Sequence, residues 1–166
     1  MMHASHEVSP SQGAHAKAEH PYRSLLIMAG LSFLSMYILM YAMVDVIGNI
    51  YPSLNQFYMA ALMTAPMVVI ELALMGGMYR NRKWNAVILV ASIAAGLTAF
   101  ILIRQQAAIS DREFLRSMIP HHAGAILMCN QADLQDPQIQ DLCRGIVAGQ
   151  QAEIDLMKAK LAELGR

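Results

Sequence analysis

Three apolar blocks, roughly Ser24–Val46, Phe57–Tyr79 and Trp84–Ile103, constrain this chain more than any other feature. Each is long enough to cross the hydrocarbon core of a bilayer as a helix, which takes about 20 mostly apolar residues. In a chain of 166 residues they leave room for one small soluble part. Hydrophobic residues make up 56% and charged residues 14% of the sequence, gathered in blocks instead of alternating, so a membrane part plus a soluble part fits better than one soluble domain. The formal net charge is zero, and nothing points to a nucleic-acid partner. The first block follows a polar tail of about twenty residues, exceeds the length of a signal-peptide core and lacks a small-residue cleavage site, so it is expected to stay as an anchor.

Basic residues in short loops remain on the cytoplasmic side. The loop YRNRKW carries Arg80, Arg82 and Lys83, whereas DVIGNIYPSLNQ has neither Lys nor Arg. The second loop is therefore inside, together with the tail bearing Lys17 and Arg23, and three crossings put everything after Ile103 outside; Arg104 is outvoted. In a bacterium this predicts an inner-membrane protein with a cytoplasmic N-terminus and a periplasmic C-terminal part, where disulfides can form. Both cysteines, Cys129 and Cys143, lie in that part, where disulfide and thiolate-ligand readings compete.

The exported part, 110–164, reads as two helices. Ser110 followed by Glu113 is a capping-box pattern and predicts a helix to about Leu134. Asp136 then caps a second helix with Pro137 at its first position, running to Leu164 before Gly165. Pro120 predicts a kink just before the histidines, the alternative being that a new helix starts there. At 100° per residue, Phe114, Met118, His121, His122, Ala125, Met128 and Cys129 share about a third of the first helix's circumference. On the second helix the stripe is Ile139, Leu142, Cys143, Ile146, Gln150, Glu153, Ile154, Met157, Leu161 and Leu164. A turn near Gln135 makes the pair antiparallel, with facing numbers summing to about 271. Cys129 should then meet Cys143, which favours a disulfide; His121 should meet Gln150, and Met118 should meet Glu153.

Polar groups meeting inside a hairpin must satisfy one another or hold an ion. Imidazole with thioether suits copper, and imidazole with carboxylate suits zinc, iron or copper(II). The candidate metal residues are His121, His122 and Met118, with Met128 and Met157 in reserve and Gln150 and Glu153 as orienting partners. Adjacent histidines diverge by about 100°, so one can serve the hairpin while the other faces a different chain. The competing reading is a buried His121–Glu153 hydrogen bond with the methionines as core filler.

The segments DREFLRSMIPHHAGAILMC and IVAGQQAEIDLMKAKL resemble the bacterial family known as domain of unknown function 305, through Phe114, Met118, His121, His122, Met128, Gln150, Glu153, Ile154 and Met157. The resemblance covers about the last 57 residues. It implies an exported, ferritin-like helical fold and copper handling, preferably of Cu(I). Many members have two hairpins where this chain has one. A lone hairpin buries too little apolar surface to be stable by itself. Dimerisation into a four-helix bundle would remedy this, as would docking on the spans or on another subunit.

In the membrane part, Met36, Met40 and Met43 should face Met67, Met63 and Met59 in turn, as ordinary apolar packing or as a Cu(I) path. Glu71 is expected near mid-membrane, with Pro66 one turn earlier. The tail holds four of the six histidines, and Met1-Met2-His3 is a possible square-planar chelate. The whole is expected to be all-α and non-enzymatic: a membrane-anchored copper-binding protein for storage, buffering or delivery, as a homo-oligomer (a dimer) or a subunit of a membrane complex. The alternative is a structural or assembly subunit of a membrane complex. A di-iron enzyme is disfavoured, since the paired Glu-x-x-His ligands are absent.

Overall fold

The computed structural model describes residues 21–165. The tail histidines His3, His6, His15 and His20, and with them the Met1-Met2-His3 chelate, lie outside the described residues. Those residues form five α-helices and no strand.

Helix α1, Pro21–Leu39, runs on through a 3-10 turn, Met40–Met43, and a second short turn at Ile47–Asn49 leads to α2, Leu54–Leu74. Helix α3 spans Arg82–Gln105. Local caps explain both starts: Ser53 Oγ accepts from Gln56 N, and Asn81 Oδ1 accepts from Lys83 N and Trp84 N. All three segments are long and apolar enough to cross a membrane. Leu26, Leu31, Ile70, Val90 and Leu97 lie exposed along them, which suits a lipid surround. Helix α2 packs against both α1 and α3. Small residues let α2 and α3 approach closely, and a Cβ on Gly96 would stand 3.1 Å from that of Ala65.

The second apolar block ends sooner than expected, because the chain leaves the helix at Leu74 and turns through Gly76 and Gly77. Glu71 is thereby moved from mid-membrane to the last turn of α2. There it accepts a hydrogen bond from Tyr79 Oη at 3.4 Å, which satisfies a carboxyl the sequence left without a partner. Burial, and then the Glu71 charge, push the Tyr79 hydroxyl above its ordinary pKa.

Helix α4, Asp111–Gln131, and α5, Pro137–Glu163, form the expected antiparallel hairpin. Ser110 Oγ accepts from Glu113 N at 3.4 Å, and Asp136 Oδ1 accepts from Gln138 N and Ile139 N. Helix α4 ends three residues before Leu134, at a cap on Ala132. It is continuous through Pro120, so no new helix starts there. The core of the hairpin is Ile119, Ala123, Ile126, Ile154 and Met157.

The hairpin also rests on the membrane-capable helices. Glu113 does not reach back to close its own capping box; its Oε2 accepts from Leu54 N, in the first turn of α2, at 2.9 Å. That turn has no acidic residue of its own, so Glu113 supplies the negative charge a helix N-terminus favours. Asn55 Nδ2 donates to Ser117 Oγ at 3.3 Å, and Tyr58 Oη donates to the Ala107 carbonyl at 3.1 Å. The link from α3 to α4 passes through Gln106 and Ala108 at φ 48° and 59°, a left-handed conformation that breaks the helix and redirects the chain. Val44 and Tyr51 pack on the hairpin core from the loop between α1 and α2.

Candidate metal site

Helix α4 is packed on two sides, and this separates its two histidines. Leu115, Ile119, His122 and Ile126 recur at spacings of three and four along one inward face. This face is rotated from the expected stripe: Phe114 and Met128 are exposed, and so is His121. The rotation follows from the apolar contacts, since Ile119 and Ala123 are fully enclosed against Ile154 and Met157 and leave no room for the next face to turn inward.

His122 is the histidine that meets α5. Its Nε2 lies 2.7 Å from Glu153 Oε2, and its Nδ1 lies 2.9 Å from the Met118 carbonyl oxygen. Both neighbours accept, so only a doubly protonated ring donates to both at once. A neutral ring that donates through Nδ1 would instead present the Nε2 lone pair beside the carboxylate, the tautomer a metal requires. The ring is buried, whereas the Glu153 side chain is 59% exposed, so the pair sits at the rim of the hairpin. The histidine that meets α5 is therefore His122, on Glu153, and not His121. Gln150 is half-buried and makes no hydrogen bond among the described residues, and Met157 is enclosed in the core. Among the described residues no three His, Cys, Asp or Glu side chains converge, so an ion held at His122 and Glu153 would need further donors of another kind.

His121 points the other way. The two imidazole centroids are 6.1 Å apart with planes at 64°, the divergence expected of helix neighbours. His121 lines an open pocket of about 490 Å³ between α4, the Met40–Met43 turn and the N-terminal part of α2. Met118 and Met128 line it from α4, and Met40, Met43 and Met59 line it from the membrane part. Met43 crosses α4 at Gly124, where a Cβ would stand 3.4 Å from the Met43 carbonyl oxygen and 3.9 Å from its Cβ. An added Cβ would thus already be in van der Waals contact with the 3-10 turn. Met36 and Met67 share a separate groove deeper along the spans. The sequence marks these methionines as a stripe but gives no sign that the stripe ends on His121. The glycine in the middle of a helical pattern was the available signal for that close approach.

The cysteines sit at the far end of the hairpin. Cys129 and Cys143 are joined in a disulfide with their Cα atoms 5.3 Å apart, so neither sulfur is a thiolate ligand in this state.

Comparison with known proteins agrees with the hairpin motifs. The model of the family described as "Domain of unknown function (DUF305)" matches residues 91–161. An uncharacterized protein, L153, of Acanthamoeba polyphaga mimivirus is 36% identical over 142 residues, a match spanning 84% of this chain and 91% of the relative. That match is far longer than the hairpin, so the relative shares sequence with the membrane-capable part as well. No solved structure matches.

Proposed function

We propose that this chain, which belongs to the DUF305 family, is a membrane-anchored protein whose exported hairpin binds copper, Cu(I) above all, for storage, buffering or delivery without catalysis. The observation that carries this reading is the donor set on the outward face of α4. His121, Met118 and Met128 line one pocket, and imidazole with thioethers is a set that favours soft, monovalent copper over harder ions. The partnered His122 would act as a positioning residue, its ring held on its own helix by the Met118 carbonyl and linking α4 to α5 through Glu153.

Three membrane-capable helices support the anchor. The basic loop with Arg80, Arg82 and Lys83 supports an exported C-terminal part, periplasmic in a bacterial inner membrane. The disulfide fits an oxidising compartment. Ile139, Leu142 and Leu156, large and exposed on α5, support the pairing of two hairpins into a ferritin-like four-helix bundle.

The test is a Cu(I) competition titration of the full chain in detergent against bathocuproine disulfonate. The parent should draw copper from the chelator, and His121→Ala with Met118→Leu should weaken binding by about tenfold or more. A parent that leaves all the copper with the chelator overturns the reading, and an assembly subunit of a membrane complex becomes the better account. A C-terminal alkaline phosphatase fusion should be active; a silent fusion beside a working cytoplasmic reporter would reverse the orientation.

A further inference from the structure

We infer that the copper site is shared between the two parts of the chain, with Met40, Met43 and Met59 of the membrane part completing a shell begun by His121, Met118 and Met128 of the hairpin. This rests on the copper reading above and adds to it three ligands, a location and a mechanical consequence.

Three observations carry it. Five thioethers and one imidazole from three separate helical segments line a single pocket. The segments are held in register there by two contacts that involve none of those side chains, Glu113 with Leu54 N and Asn55 with Ser117, and by the close approach of the Met43 backbone to Gly124. Three of the methionines are also not packed as filler: Met157, which does fill the core, is 9% exposed, whereas Met43 is 51%, Met59 39% and Met128 54% exposed. Met40 is half-buried, and Met118 is half-buried with one side against the hairpin core.

Cu(I) takes soft neutral donors, and methionine sulfur keeps its lone pairs at any physiological pH. A shell of three or four donors drawn from both sides would tie the hairpin to the ends of α1 and α2. Metal occupancy and hairpin docking are then coupled: anything that lifts α4 off Met43 removes ligands and weakens the hold on copper.

The experiment uses the full chain in detergent and compares the parent, the triple variant Met40→Leu, Met43→Leu, Met59→Leu, and the hairpin variant Met118→Leu, Met128→Leu. Leucine keeps the volume, so helical content and the intact disulfide report on folding. The triple variant should lose Cu(I) affinity by about tenfold or more, and X-ray absorption at the copper edge should show fewer sulfur neighbours than in the parent. Carbon-13 methyl spectra of labelled methionine with Ag(I) as a stand-in should move resonances from both parts and leave that of Met157 unmoved. A triple variant with parental affinity and sulfur count, or shifts confined to hairpin methionines, overturns the shared site while the copper reading stands. A parent that does not compete for Cu(I) overturns both.

Discussion

His121 and His122 are neighbours in sequence and occupy opposite environments, and the contrast separates what holds the hairpin together from what is free to bind. His122 is buried, with a carboxylate on one ring nitrogen and a carbonyl on the other. His121 is exposed, makes no hydrogen bond among the described residues, and faces sulfur. One helix thus presents a packed face and a face with uncommitted donors. A double-histidine motif need not mean two ligands to one ion: at 100° per residue, adjacent side chains on a two-sided helix serve different neighbours.

The largest effects should come from the packed face. Ile154→Ala removes a side chain with no exposure and should cost about 2–5 kcal/mol, whereas Met128→Ala on the open face should cost under about 1 kcal/mol. Thermal unfolding followed by helical circular dichroism checks both, and equal losses would erase the distinction between the faces.

Next comes Cys129→Ser, which opens a loop closed across a sequence separation of 14 and should cost about 3 kcal/mol on the loop-entropy estimate. Thiol labelling of unreduced, denatured parent should find no free cysteine, and two labels per chain would remove the basis of that figure.

The histidines themselves should part company. His122→Ala should lower stability by about 1 kcal/mol, the usual net worth of a hydrogen bond, since the exposed Glu153 it leaves behind can turn to water. His121→Ala should leave stability within about 0.5 kcal/mol and act on Cu(I) affinity instead. If the two variants swap these effects, the assignment of roles is inverted. Glu153→Gln keeps an acceptor at the rim and should shift stability by less than about 1 kcal/mol; a larger loss would show that the His122 pair is more strongly shielded than its exposure indicates.

The helices of this fold were legible because their signals are local. Ser110, Asp136 with Pro137, and the three apolar blocks each mark an element from a few residues of sequence, and the pairing of Cys129 with Cys143 follows from two helices joined by a short turn. The rotation of α4 was not legible. Contact with α5 on one side and with Val44, Tyr51 and Met43 on another gives it a broad apolar arc, and periodicity locates such an arc without saying which part faces which neighbour. The docking was hidden for a different reason. Glu113 carries the same capping-box signature whether it serves its own helix or one 59 residues away, and nothing nearby in sequence distinguishes them. The candidate site inherits both difficulties: its hairpin half was visible as a motif, and its membrane half only as ordinary methionines.

That long-range cap also sets an order of assembly. A ribosome makes α2 well before it reaches Glu113, so α2 is complete while the Leu54 amide still lacks this partner. The first turn of α2 gains its acidic cap only when the hairpin folds against it. A nascent chain halted before residue 113 would hold every apolar block and lack that cap.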